Sequence, residues 1–138
     1  MRAAKAYGEV ARHTAVLSAD SLDLVLLLYD KLLQRLREAR LAAEKGDVRE
    51  RGEATGKAID IIEKGLIGSL DFDRGGEIAY RLNAHYRAWT TFVLRYTANP
   101  DETLLEAMEL QIAALRGAWE DLKRQAQLDR PAPRFAAP

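Results

Sequence analysis

Two histidines, His13 and His85, have the widest chemical repertoire in this chain. Each could ligate a metal or move a proton near neutral pH. A bundle metal site of the di-iron carboxylate kind needs Glu three residues before His, so that both side chains enter one core. Val10 holds that position before His13 and Leu82 holds it before His85, so neither fits. There is no Cys, which removes thiolate metal sites, disulfides and Cys-linked haem. Without a thiol, and with two His, a nucleophilic triad has little to be built from. His85, between turns carrying Leu82 and Trp89, reads as a partly buried bundle histidine. Gly75-Gly76 ahead of a helix could hold a phosphate. No strand precedes the pair and no Lys-Ser/Thr follows it, so it reads as a turn. The expectation is a protein that is not an enzyme and carries no cofactor and no metal.

What remains is apolar surface, concentrated in Leu22-Asp23-Leu24-Val25-Leu26-Leu27-Leu28-Tyr29-Asp30. A helix on a small bundle needs one apolar stripe. Val25, Leu28, Leu32 and Leu36 supply it at i, i+3, i+7 and i+11, leaving Leu24, Leu26, Leu27 and Leu33 as surplus. Two readings of that surplus stay open. It is a wide core face under the N-terminal segment, or it is a surface for a partner, as large exposed apolar patches often are.

Four helical segments position these residues. Asp20 as N-cap opens the first, from Ser21 to about Lys45, and Gly46 closes it. Asp47-Val48-Arg49-Glu50 has the spacing of a capping box and starts the second. That helix buries Ala58, Ile61, Ile62 and Leu66 and ends near Leu70. A turn through Gly75-Gly76 leads to the third, from about Gly76 to Thr97, with Ile78, Leu82, Trp89, Val93 and Tyr96 on one side. Asn99 as N-cap and Pro100 at the first helical position open the fourth, which runs to about Gln127. Its Leu105, Met108, Ile112, Leu115, Trp119, Leu122 series keeps one stripe inward. No run alternates with the period of a strand. Similar helix lengths and short connections predict an all-α, antiparallel up-and-down four-helix bundle over residues 20–127. A short N-terminal helical cap segment is expected over 1–19. The Pro-rich tail, 128–138, is expected to be disordered.

The chain has 138 residues, 48% apolar and 30% charged, enough for one domain with its own core. Lys plus Arg equals Asp plus Glu at 21 each, so no net field favours nucleic acid or a membrane surface. No apolar stretch follows the positive N-terminus, which argues against a signal peptide. The longest apolar run is too short for membrane insertion. A cytoplasmic protein is expected.

Ser18-Ala19-Asp20-Ser21-Leu22-Asp23-Leu24-Val25-Leu26-Leu27-Leu28-Tyr29-Asp30 resembles the Thr-Ala-Ser-Pro-x-x-Leu-Val-x-Met-Leu-Tyr-Asp-Gly signature of the FliS family, the flagellin-specific export chaperones. Tyr7-Gly8-Glu9-Val10, Lys57-Ala58-x-x-Ile61-Ile62, Ser69-Leu70-Asp71-Phe72-x-x-Gly75-Gly76-Glu77-Ile78-Ala79, Ala98-Asn99 and Ala118-Trp119 are similar to further family landmarks, in the family's order. The likeness covers about residues 6 to 123. Asp20-Ser21 replaces Ser-Pro, Lys31-Leu32 replaces Gly-Ala, and His85-Tyr86-Arg87-Ala88-Trp89 replaces Leu-Tyr-x-Tyr-Met.

The resemblance implies a cytosolic chaperone that binds the disordered C-terminal segment of flagellin, prevents premature polymerisation and delivers it to the flagellar export gate. A co-chaperone or flagellar regulator could share its surface. The alternative is a helical-bundle adaptor for a different secreted or regulatory client. Surplus leucines and resemblance together give the expected client-binding set: Tyr7, Val10, Leu17, Leu24, Leu27, Leu28, Tyr29, Ile61, Tyr86 and Trp89. Tyr7 and Val10 are expected to shield the first-helix leucines when no client is bound.

Overall fold

The computed structural model describes residues 19–129. The expected cap segment before Ala19, with Tyr7, Val10 and Leu17, lies outside them, as does the tail from residue 130 onward. Four helices and no strand occur among the described residues. Helix α1 is Ala19–Lys45. Helix α2 is Val48–Asp60 and continues without a break as a π-helical stretch, Ile61–Ile67. Helix α3 is Phe72–Ala98 and α4 is Glu102–Leu128. Each long helix has 27 residues, about 40 Å of rise.

Short connections make sequence neighbours antiparallel. α1 packs on α2 and α4, α3 packs on the π-helical stretch and α4, and α1 and α3 face each other across the diagonal. The bundle is therefore the expected up-and-down kind. At the end of α1, Gly46 N–H donates to the Ala43 carbonyl and Asp47 N–H to the Ala42 carbonyl. That pairing satisfies two carbonyls the helix leaves over. Asp47 then accepts from Glu50 N–H and caps α2, as its spacing predicts.

Three boundaries differ from expectation. α1 reaches back to Ala19, so Asp20 lies within its first turn instead of preceding it. α3 starts at Phe72, where Asp71 accepts from Asp73 and Arg74 N–H, and is interrupted at Gly76. The α4 cap is Asp101, which accepts from Thr103 and Leu104 N–H, and not Asn99. Pro100 disfavours helical backbone at the residue before it. Asn99 is accordingly extended and ends α3, its N–H bonded to the Arg95 carbonyl.

The π-helical stretch corrects a phase problem. The buried residues of α2, Ala54, Ala58, Ile62 and Leu66, recur every four. A step of four overshoots one α-helical turn by about 40°. With i to i+5 bonding, roughly 4.4 residues fill a turn and the same step falls short by about 30°. The π geometry thus swings Ile62 and Leu66 back onto the core. Gly68 N–H bonded to the Glu63 carbonyl is one such five-residue bond, at 3.1 Å.

An aromatic group holds the middle of the core. Tyr29 from α1 meets Tyr86 and Trp89 from α3 edge-on, with ring centroids 6.4 and 5.9 Å away. Trp119 Nε1–H of α4 donates to the Tyr29 hydroxyl, and Trp89 Nε1–H donates to Gln111. These buried polar tips are paired, as a low-dielectric interior requires.

Candidate functional site

The tyrosine at the centre of α1 sets the phase of that helix. Its buried positions are Leu22, Leu26, Tyr29, Leu32, Leu36, Ala39 and Ala42. The expected stripe through Val25 and Leu28 is therefore displaced, and both residues are half-buried at its edge. Leucines on all sides leave the phase open. Asp23 and Asp30 settle it by reaching α4 on one flank, where Lys123 and Arg116 pair with them. Leu26 goes into the core and Leu33 packs against it, so the surplus narrows to Leu24 and Leu27. Those two are 53% and 50% exposed.

Leu24 and Leu27 are three residues apart and so lie on one outer face of α1. Leu28, on the same side, turns toward the π-helical stretch and rests on Gly65. Ile61, at the start of that stretch, is half-buried. The rim is charged. Lys31 is exposed beside Leu27, and Lys64 pairs with Asp60 at 3.6 Å. Arg116 donates to both Asp30 and Glu120, and its hydrogen bond to Asp30 is the first cause that holds its pKa above the ordinary arginine value. An apolar strip with a charged border suits the apolar face of an amphipathic segment.

Three expected contact residues are buried. Tyr29 and Trp89 are completely buried and Tyr86 nearly so. They were expected on the binding surface because the excess of apolar residues on α1, and the likeness on α3, hid which side faced in. Their hydroxyl and indole groups find partners inside the bundle, among the described residues, which draws them there. His85 is exposed, not partly buried.

A second apolar area was not foreseen. Phe92 of α3 and Leu104 of α4, both partly open to solvent, border a shallow recess between those helices. Tyr96 and Met108 line it. Phe92 lies off the Trp89, Val93, Tyr96 stripe, and that surplus was its signal in the sequence. Among the described residues, no group of three or more His, Asp or Glu could hold a metal ion. No helix among them is long and apolar enough to cross a membrane.

Fold and surface define an all-α bundle whose prominent surface features are apolar helix faces bordered by ion pairs. The family profile described as "Flagellar protein FliS" matches residues 3–126. The flagellar secretion chaperone FliS of Salmonella typhimurium is 37% identical over 122 residues, covering 88% of this chain and 90% of its own. The flagellar secretion chaperone FliSB of Pseudomonas aeruginosa is 33% identical over 122 residues, covering 88% and 96%. The flagellar secretion chaperone FliS of Escherichia coli K12 is 31% identical over 117 residues, covering 85% and 86%. The chain belongs to the FliS family.

Proposed function

We propose that this protein is a flagellar export chaperone that works in the cytosol as a binding module, without catalysis. Its client is the C-terminal segment of flagellin, which it keeps from polymerising and delivers to the flagellar export gate. Family membership supports the chaperone role. The observation that carries the contact is the exposed leucine pair, Leu24 and Leu27, held beside Leu28 and Ile61. Tyr7, Val10 and Leu17, outside the described residues, belong to the same proposed contact set.

Ordering an unfolded client costs several kcal/mol, so a large apolar contact is needed. Roughly 1,000 Å² of apolar burial at about 25 cal/mol per Å² is on the order of 25 kcal/mol gross. Most of that is offset by ordering and by lost motion. A helix segment laid along α1 uses area where a closed pocket would be too small.

The direct test is calorimetry of the full chain with a peptide of flagellin's C-terminal region. Saturable 1:1 binding is the expected result. A folded protein that ignores the peptide points instead to a bundle adaptor for another client.

A further inference from the structure

The π-helical stretch places Gly65 directly beneath Leu28. A Cβ built on Gly65 would lie 3.0 Å from Leu28 Cδ2 and 3.3 Å from Cδ1. That is tighter than nine in ten real Cβ contacts, so the leucine would have to give way by a few tenths of an ångström. We propose that Gly65 is a positioning residue for the client surface. By having no side chain, it lets Leu28 lie flat against the second helix, so that Leu24 and Leu27 form one continuous apolar strip with it. This rests on the reading of that face as the flagellin site.

The π geometry is part of the device. Residues Ile61–Ile67 accommodate the four-residue repeat that buries Ile62 and Leu66. The same unwinding brings the glycine to face α1. Elsewhere in α2, Gly52 and Gly56 have nothing within 4 Å of an added Cβ, so close approach to α1 is particular to Gly65 among the three. π turns inside α-helices recur at functional sites, and here the turn determines how two helices meet beside an exposed face.

A methyl at position 65 would push the Leu28 side chain outward, across the strip. Gly65→Ala is expected to keep its helicity and weaken the flagellin C-terminal peptide about tenfold. Gly56→Ala, where an added methyl meets open space, should leave the affinity unchanged. The Leu28 methyl resonances of free Gly65→Ala should move from their wild-type positions, a change that a purely structural glycine remote from the strip would not give. Wild-type affinity, or unmoved Leu28 methyls, in folded Gly65→Ala overturns the proposal. Should Gly65→Ala not fold, the Leu28 methyl resonances of the wild-type protein decide. A shift on adding peptide supports the assignment, and unchanged Leu28 methyls during saturable binding overturn it. If the wild-type protein binds no peptide, the flagellin reading falls first and the role of Gly65 falls with it. That result is distinct from wild-type binding that Gly65→Ala leaves unchanged.

Discussion

The hydroxyls of Tyr29 and Tyr86 lie 2.9 Å apart and join the two diagonal helices, α1 and α3, through the middle of the core. Because those helices do not pack directly, long side chains must span the diagonal. Trp119 Nε1–H adds a bond to the Tyr29 hydroxyl at 3.1 Å, which brings α4 into the same group. Among the described residues, Tyr29→Phe removes both of these bonds and Tyr86→Phe removes one. Breaking a buried hydrogen bond costs about 1–3 kcal/mol. Tyr29→Phe is therefore expected to be the more destabilising, by about 1 kcal/mol over Tyr86→Phe. Urea unfolding of the two variants checks the order, and the double variant should cost less than the sum because the groups share a partner.

The exposed pair on α1 makes a separate prediction. A charge at Leu24 or Leu27 leaves the core untouched, and surface changes of this kind stay within about 0.5 kcal/mol. Leu27→Asp and Leu24→Asp should therefore melt as the wild type does. Each should bind the flagellin C-terminal peptide at least about tenfold more weakly, since a carboxylate buried against an apolar client face has no partner. Leu110→Asp is the control, being 73% exposed on α4 and away from α1's outer face. Equal affinity of all three variants would move the contact off α1.

Helices and their stripes were legible where one residue type dominated a face. Leu105, Met108, Ile112, Leu115 and Trp119 of α4 are buried as their spacing predicts. The phase of α1 was not legible, because leucine occupies almost every direction from Leu22 to Leu28. Only tertiary partners break the tie: Tyr86 and Trp119 for Tyr29, Lys123 and Arg116 for the two aspartates. The same ambiguity hid that Tyr29, Tyr86 and Trp89 are buried. The π-helical stretch was hidden as well. A strict four-residue repeat is compatible with a drifting α-helix until the neighbour that fixes its face is known. Capping was read correctly at Asp47 but two residues early at Asn99, where the backbone restriction imposed by Pro100 outweighed side-chain preference.

Gly76 interrupts α3 with φ of +52° and ψ of −131°, a region that residues with a Cβ scarcely enter. Gly76→Ala meets no steric neighbour, so its cost is conformational. About 1–3 kcal/mol of strain is expected. Gly56→Ala in α2 offers the contrast, since this glycine is exposed in a helix and has open space around it. There alanine should stabilise by about 0.5–1 kcal/mol. Thermal unfolding of both should therefore move in opposite directions. A Gly76→Ala melt at or above wild type would mean that the interruption closes into regular helix at no cost.

Tyr96 makes the bundle sensitive to alkali. Its hydroxyl is buried where α3 approaches the start of α4, and it has no hydrogen-bond partner among the described residues. Burial, and after it the charge of Glu102, raises the phenol pKa above its ordinary 10.0, while Arg40 and Arg51 oppose the rise. A raised pKa in the folded state means that folding favours the protonated phenol. The resulting stability is complete below pH 10 and is lost as pH climbs through the folded-state pKa. Tyr96→Phe removes that proton linkage. The stability difference between the wild type and Tyr96→Phe should therefore be constant from pH 7 to about 9.5 and then change steadily against the wild type. At pH 7 the variant should be neutral or slightly more stable, because replacing an unbonded buried hydroxyl removes a desolvation cost. Urea midpoints at pH 7, 9 and 10.5 measure both effects. Parallel curves through pH 10.5 would show that the phenol stays accessible to water in the native protein, and a loss of more than about 1 kcal/mol at pH 7 would show that its hydroxyl is hydrogen-bonded there.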